Sequence, residues 1–409
     1  MVELLSPAGT YDKMVMAFSF GADAVYVAGQ KFGLRAFAGN FDENELKKAS
    51  EYAHSLNKKI YVTLNILAHE DDFDGLSDYI KYLDEIKVDA VIVSDVGIID
   101  LCRSVAPNLD VHVSTQANVL NSQAINFYAK MGVKRIVLAR ELSIEEIAKI
   151  RKNIPQDMEL EAFVQGAMCI SYSGRCLLSN YFCGRDSNRG QCVQACRWQY
   201  ALNKIDEKTQ NYYPIEEDAR GTYVLNSKDM NMIRYIDKLA KVGVTSFKIE
   251  GRMKSEYYVA NVTNAYRKAI DLYYKDPENF VCPDYLYDEL KKSSHRNYTT
   301  GFYLGSNDKE CIESSLPVAT HEFIALVLED AKDGKVLVQQ RNRFVKGETL
   351  EILSPDDLLN SPLVVDEMFD EEGNLVEVAN KVQQKLYIKT NLPLKKGSLI
   401  RRKITEKKA

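Results

Sequence analysis

Short β-branched runs alternate with amphipathic helical patterns over residues 1 to about 290. Each run is almost continuously apolar and ends in a polar group, which is typical of parallel strands that helices cover. The helical patterns between the runs cover 10–20, 42–56, 72–86, 121–131 and 143–152. The eight runs are VELLS, DAVYVAG, KIYVTLN, DAVIVSD, DVHVSTQ, RIVLARE, LEAFVQG and SFKIEGR.

Eight such runs in fewer than 260 residues predict an α/β fold of the (β/α)8, TIM-like barrel type, with a catalytic domain at 1–290. A doubly wound open sheet is the alternative. No G-x-G-x-x-G motif follows the first run, which weakens a dinucleotide-binding interpretation.

Polar residues follow the predicted strands at the end where barrel enzymes place their active sites. Any one of them could instead cap a helix, but as a group they predict a pocket lining. They are Arg35, Asn65, Asp95, Gln116, Arg140, Glu141, Gln165, Glu250 and Arg252.

One connection breaks the regular alternation. About 80 residues separate LEAFVQG from SFKIEGR, and loops of that length inside a compact domain are usually functional. The stretch 291–317 is rich in aromatic and turn residues and forms a predicted junction. From 318 to 409, short alternating runs separated by KDGK, EEGN and KKGS predict a small all-β barrel domain.

Composition restricts the function classes. The net charge of -5 excludes a globally basic nucleic-acid binder, although a local basic surface remains compatible with it. No apolar stretch reaches the roughly 18 residues of a membrane span. The start MVELLSPAGTYDK does not resemble a signal peptide, so we expect a cytoplasmic protein with reduced thiols.

The segment 166–200 contains five of the eight cysteines. Four of them, Cys169, Cys176, Cys192 and Cys196, follow the pattern C-x6-C-x15-C-x3-C, and Cys183 lies between them. Four thiolates can hold a zinc ion or a [4Fe–4S] cluster. The spacing alone leaves the cluster, structural zinc and unligated thiols open, as well as a replacement of one ligand by Cys183.

Arginines and aromatic residues are interleaved in the same segment. Arginine binds phosphate in two-point fashion and aromatic rings stack on unpaired bases, so the pattern suggests a surface that faces RNA. The alternative is that the arginines only offset the negative charge of the thiolates. The residues are Arg175, Arg185, Arg189, Arg197, Tyr172, Tyr181, Trp198 and Tyr200.

The stretch EAFVQGAMCISYSGRCLLS, which begins at Glu161, resembles the signature of the peptidase U32 family. The segments ELLSPAG, GADAVYV, RGQCVQACRW, KIEGRMKS and RNYTTGFY are also similar to that family, and the last part of the chain resembles its small β-barrel extension. The resemblance implies a barrel with a four-cysteine centre.

Members of this family include collagenase-like proteases and enzymes that hydroxylate RNA or ubiquinone precursors without molecular oxygen. The length and the β extension are most like the subgroup that makes 5-hydroxyuridine at the tRNA wobble position, with prephenate supplying the oxygen. The resemblance implies that Cys169, Cys176, Cys192 and Cys196 hold a [4Fe–4S] cluster, and tRNA would be the partner. The oligomeric state stays open.

The resemblance leaves two functions to compare with this hydroxylase: a peptidase and a non-catalytic RNA-binding protein. A peptidase needs an activated nucleophile or a metal-bound water, and neither H-E-x-x-H nor G-x-S-x-G is present. For a hydroxylase, we expect Arg35, Arg140, Arg252 and Gln116 to bind the dicarboxylate co-substrate and Arg185, Arg189 and Arg197 to bind RNA. The candidates for catalysis are Glu250 and His69.

Overall fold

The computed structural model describes residues 1–33, 40–169, 171–198, 203–205, 212–214, 228–305 and 317–404. Eight parallel strands form a closed barrel, because the last of them pairs with both the first and the seventh. All eight predicted runs form these strands, so the TIM-like barrel is confirmed and the open sheet is wrong. In chain order, β1 to β7 are Glu3–Pro7, Ala24–Val27, Lys59–Leu64, Ala90–Val93, Asp110–Val113, Arg135–Val137 and Glu159–Ala167.

The remaining strands of this half follow the cysteine-rich segment. β8 (Asn203–Ile205) and β9 (Tyr212–Pro214) form an antiparallel pair, and β10 (Asp229–Asn231) runs antiparallel to β7. β11 (Ser246–Ile249) closes the barrel. β12 (Tyr298–Thr299) extends the sheet beyond β10.

Helices connect the strands and pack on the outside of the barrel. Six of those described begin where a side chain accepts from a free backbone N–H. In one of them Asp42 accepts from Glu45, whose side chain accepts in return from the Asp42 backbone, and Ser143 and Glu146 repeat this capping box. None of the helices in the described part of the chain is both long and apolar enough to cross a bilayer. α1 to α10 are Tyr11–Ser19, Glu43–Ser55, Leu76–Glu85, Val96–Val105, Ser122–Lys130, Ile144–Lys152, Leu178–Cys183, Ile236–Lys241, Glu256–Lys275 and Asp284–Lys291.

Seven antiparallel strands curl into the second, all-β unit, as the alternating pattern predicts. β13 to β21 are His321–Val327, Lys335–Gln340, Phe344–Val345, Thr349–Leu353, Pro362–Val364, Met368–Phe369, Val378–Ala379, Lys385–Lys389 and Leu399–Lys403. The order in the sheet is β17-β16-β21-β13-β14-β20-β18, and β15 pairs with β19 beside it. Of the predicted junction, 306–316 lies outside the described residues.

The two units share a packed interface. Leu353 and Leu399 of the β unit pack in one buried apolar cluster with Phe20 and Tyr257 of the barrel's helical layer. Beside this cluster the fully buried Arg401 donates to Asn261 at 2.9 Å and to Glu289 at 2.8 Å, both on barrel helices. Because a buried guanidinium is costly unless all its donors are used, this network fixes how the β unit sits.

Candidate active site at the mouth of the barrel

A pocket opens at the carboxyl ends of the barrel strands, below the cysteine-rich segment. Its floor is made by side chains that point into the barrel, including Tyr26, Phe163 and Lys248. Its sides carry Gln116, Arg140, Glu250 and Arg252 of the predicted strand-end set. These side chains follow three separate strands, β5, β6 and β11, and they meet in one pocket as the sequence predicts.

Four cysteines line this pocket from above: Cys169, Cys176, Cys192 and Cys196. Burial raises the pKa of the Cys196 thiol to about 11; Arg197 opposes this, and the thiols of the other three add to it. The four thiols are therefore close enough to act on one another's charge. Cys183 is exposed at the end of α7 and does not line the pocket.

The four thiols are possible ligands of a metal centre. Across the described ranges, no three His, Cys, Asp or Glu side chains are spaced to hold a single metal ion, and the cysteines there are free thiols. Four thiols from one segment that line one pocket suit a multi-iron cluster better than a single ion, since a cluster spans a larger space. Cysteine thiolates are also the ligands that iron–sulfur clusters usually have in proteins.

Hydrogen bonds hold the cysteine-rich segment in place over the pocket. The backbone oxygen of Cys176 accepts from Ser187 Oγ at 2.8 Å and from Asn188 Nδ2 at 3.1 Å. Asn188 in turn accepts from the backbone of Leu67 at 3.0 Å, on the loop after β3. At Gly174 the chain touches the backbone oxygen of Gln116, which an added Cβ would approach to 2.5 Å.

The predicted arginines have different surroundings. Arg140 donates to the Ala167 carbonyl and to Ser173 Oγ, both at 3.1 Å, and its guanidinium lies 5.4 Å from the Phe163 ring centroid. Arg252 is buried and donates to Thr63 Oγ1 at 3.3 Å. Arg35 lies outside the described residues.

Of the two candidates for catalysis, only one lines the pocket. Glu250 lines the pocket, and the hydroxyl of Tyr26 donates to its Oε2 at 3.3 Å. His69 is exposed and precedes the 3-10 turn Glu70–Phe73, where its backbone N–H donates to Asp72; its side chain does not line the pocket. The local sequence AHEDD positions His69 as the residue that begins this turn.

The three arginines predicted to bind RNA differ in exposure and in hydrogen-bond partners. Arg185 is exposed, whereas Arg197 is half-buried, donates to the Met168 carbonyl at 3.1 Å and lines the pocket. Arg189 is paired with Asp72 and holds the segment to the barrel. These positions leave Arg185 and Arg197 as the better placed of the three for a phosphate.

Lys248 is not among the residues predicted from the sequence, yet it reaches the pocket floor between the rings of Tyr26 and Phe163. The signal was the alternation in SFKIEGR, since every second residue of a barrel strand points inward. Below the pocket, Lys248 binds Glu161 at 2.6 Å, and Glu161 binds Arg135 at 3.2 Å. Arg135 also binds Glu3 at 2.6 Å, which completes a ladder of alternating charge inside the barrel.

Glu3, at one end of the ladder, keeps its charge despite burial. Burial by itself raises the pKa of Glu3, but the charge and hydrogen bonds of Arg135 outweigh it, so the pKa lies below its usual value. His112, edge-on to Tyr61 at 4.7 Å, is buried next to the ladder. Burial and then the charge of Arg135 hold the pKa of His112 well below its usual range, so it is neutral.

Comparisons with known proteins agree with this architecture. The model for "Peptidase family U32" matches residues 9–313, and that for "Peptidase family U32 C-terminal domain" matches residues 319–401. A protein of Bacillus subtilis (strain 168) named tRNA hydroxylation protein P1 is 42% identical over 98% of this chain and 94% of its own length.

Two further relatives differ in their named activities. The 23S rRNA 5-hydroxycytidine C2501 synthase of Escherichia coli (strain K12) is 37% identical over 66% of this chain and 39% of its own length. A protein of Porphyromonas gingivalis (strain ATCC BAA-308 / W83) named Collagenase is 31% identical over 74% of this chain and 73% of its own length. The family therefore contains proteins named for RNA hydroxylation and for proteolysis.

Proposed function

This chain belongs to peptidase family U32, and from that premise we propose that it is an RNA hydroxylase that converts the wobble uridine of tRNA to 5-hydroxyuridine. The observation that carries the proposal is the single pocket at the barrel mouth, which four cysteines and the cation Arg140 share. Two relatives named for tRNA hydroxylation and for rRNA hydroxycytidine synthesis support the same class of reaction. With tRNA as its substrate, the enzyme would work in the cytoplasm.

Proteolysis is the second candidate because of the relative named Collagenase. A thiol protease needs a histidine within hydrogen-bond reach of its cysteine. All five histidines lie in the described part of the chain, and none of them lines the pocket that holds the four cysteines. The geometry therefore favours the hydroxylase.

The pocket offers a place for a small dicarboxylate, for which we propose prephenate, the source of the hydroxyl oxygen. Lys248 already has Glu161 at 2.6 Å, so its charge is largely offset. Within the described residues, the hydrogen bonds that Arg140 donates go to a carbonyl and a hydroxyl, and none of them goes to a carboxylate. A carboxylate of the ligand would bind most favourably at Arg140, and Arg252 and Gln116 would be further hydrogen-bond donors from the same pocket.

Cys169, Cys176, Cys192 and Cys196 would hold the [4Fe–4S] cluster beside that ligand. When bound, such a cluster supplies electron transfer or Lewis acidity, with a potential set by its hydrogen bonds and exposure. Ser179 Oγ donates to Cys192 Sγ at 3.8 Å and the Gln194 backbone N–H donates to it at 3.4 Å. Glu250 would accept the proton that leaves C5 of the base, and the hydroxyl of Tyr26, which donates to its Oε2, would orient the carboxylate.

Deletion of the gene, followed by mass spectrometry of tRNA nucleosides, tests the function. We expect 5-hydroxyuridine and its derivatives to disappear and to return with the wild-type gene but not with Cys169→Ser. Unchanged nucleosides in the deletion strain would exclude the proposed reaction. Cleavage of denatured collagen that Cys169→Ala abolishes would establish the peptidase instead.

The cluster is tested by iron and sulfide analysis of protein purified without oxygen. We expect Cys169→Ser, Cys176→Ser, Cys192→Ser and Cys196→Ser each to lose most of the iron. Cys183→Ser is the matched control, because Cys183 is an exposed thiol of the same segment that does not line the pocket. Loss of iron in Cys183→Ser alone, or one zinc per chain in the wild type, would contradict the assignment.

A further inference from the structure

Three aromatic rings lie in a row on the surface of the cysteine-rich segment. The ring centroids of Tyr181 and Phe182 are 5.3 Å apart, and those of Phe182 and Trp198 are 6.1 Å apart. Their exposed fractions are 83%, 45% and 42%, respectively. Since large aromatic side chains are usually mostly buried, a contiguous exposed group of this kind marks a binding surface. We call Tyr181, Phe182 and Trp198 the aromatic platform.

The local structure explains why these rings face solvent. α7 has six residues, and the one it buries is Ser179. The hydroxyl of Ser179 donates to Cys192 Sγ and accepts from the Val193 backbone at 3.2 Å, so the helix faces the protein with a polar residue. Tyr181 and Phe182 are left on the outer side.

The charge around the platform is positive. Residues 166–198 contain four arginines and one aspartate, a net charge of +3 in a chain whose net charge is -5. The charges of Lys254 and Arg296 also act on each other and on that of Arg197, and Asp229, which lies 3.7 Å from Arg296, offsets part of this positive charge. Arg197 immediately precedes Trp198. Cations beside exposed rings are the combination that binds single-stranded nucleic acid.

We propose that the aromatic platform stacks unpaired RNA bases next to the target nucleotide, while Arg185 and Arg197 bind the adjoining phosphates. This inference rests on the proposed RNA hydroxylation. It adds the surface that binds the RNA and the single-stranded form in which the RNA binds. A ring can stack only on a base whose face is open, so the substrate strand at this position is a loop and not a duplex. The excess of positive charge favours RNA over an apolar protein partner.

The fluorescence of the full chain gives a direct test, because Trp198 is its one tryptophan. Titration with a short RNA hairpin that has a uridine in its loop is expected to quench this fluorescence as a base stacks on the indole. The same nucleotides closed into a blunt duplex are expected to quench it far less at equal salt. Equal quenching by hairpin and duplex, or none with a hairpin that binds, would overturn the proposal.

Substitutions test the contribution of stacking to affinity. Trp198→Ala and Tyr181→Ala are each expected to weaken hairpin binding about 5- to 100-fold, and Trp198→Phe to retain most of it. Trp198→Leu keeps an apolar side chain without a ring face, so it should behave like Trp198→Ala. The matched control is Phe127→Ala, which removes a ring that is 56% exposed on α5 and should leave binding unchanged.

The outcomes separate this inference from the proposed function. If Trp198→Ala binds the hairpin normally and tRNA is still hydroxylated, the platform is wrong and the enzyme assignment stands. If the wild type binds no hairpin and its gene deletion leaves 5-hydroxyuridine unchanged, the proposed function itself fails. If Trp198→Ala instead converts a dimer to a monomer with unchanged RNA affinity, the rings form an interface between copies of the chain, which also overturns the proposal.

Discussion

Arg189 and Asp72 form a two-point ion pair that joins the cysteine-rich segment to the loop after β3. Arg189 Nη2 lies 2.8 Å from Asp72 Oδ1, and Nη1 donates to Oδ2 and, at 2.9 Å, to the Leu67 carbonyl. The hydrogen bond from Arg189 holds the pKa of Asp72 below its usual value. Two chain segments more than a hundred residues apart in sequence are thus held together at the rim of the pocket.

The first prediction is that this pair positions the segment. Arg189→Lys keeps the charge but loses the planar fork, and Asp72→Asn breaks the same pair from the other side. Because both side chains are partly exposed, we expect each change to cost only about 1 kcal/mol of global stability. We expect both to increase proteolytic cleavage within the segment, measured by limited digestion and mass spectrometry. Weaker RNA binding in Arg189→Lys but not in Asp72→Asn would instead show a direct contact of Arg189 with RNA.

The second prediction compares two glycines of the segment. Gly174 and Gly184 both have left-handed backbones, with φ of +73° and +62°, but a Cβ at Gly174 would lie 2.5 Å from the Gln116 oxygen and one at Gly184 would meet nothing. Gly184→Ala should therefore cost about 1 kcal/mol from backbone strain alone. Gly174→Ala should also push the segment off the pocket, lowering iron content and hydroxylation severely. Equal iron content in the two variants would contradict this.

The third prediction concerns the charge ladder inside the barrel. Glu161 is fully buried between Arg135 and Lys248, so Glu161→Gln leaves two buried cations without their shared anion. The loss of stability should be about 3–5 kcal/mol in denaturant unfolding. Lys81→Met is the control, because the Lys81–Asp78 pair is exposed, and its effect should stay within about 0.5 kcal/mol. A small effect of Glu161→Gln would show that the ladder is not held by its charges.

The eight barrel strands could be predicted from sequence because each is an apolar run that contacts neighbours on both sides of the sheet. The meeting of their polar ends could also be predicted, because parallel strands place their carboxyl ends at the same end of the barrel. Gln116, Arg140, Glu250 and Arg252 accordingly share one pocket. The four motif cysteines join them, as their position after β7 suggested.

Residues inside the barrel were harder to recognise. Lys248 and Arg135 stand in short apolar runs, where a single charge gives no hint of its partners. Their partners are far along the chain: Glu161 is 87 residues from Lys248, and Glu3 is 132 residues from Arg135. Arg189 shows the same limit, because its pairing with Asp72 depends on two loops that meet only in the folded barrel.

The fourth prediction is that the junction of the two units weakens in acid through Glu351. Burial raises the pKa of this carboxyl, but His321, whose Nε2 lies 3.8 Å from Oε2, and the charges of Arg401 and Lys292 outweigh it, so the pKa lies well below the usual range. A carboxyl whose pKa is lower in the folded than in the unfolded state stabilises the fold above the unfolded pKa of about 4.3. That contribution is lost as the pH falls through the folded pKa.

Glu351→Gln should therefore lower the free energy of unfolding at pH 7 by about 2 kcal/mol, because Arg401 stays buried with one partner fewer. The Tm at pH 7 should fall accordingly. The difference in Tm from the wild type should shrink as the pH falls below about 4, where the carboxyl of the unfolded chain takes up a proton while the folded one is still charged. Thermal unfolding between pH 3 and pH 7, in roughly unit steps, measures this. Glu367→Gln removes an exposed partner of Lys389 and should leave Tm nearly unchanged throughout. A constant difference at every pH would show that Glu351 acts through packing and not through its charge.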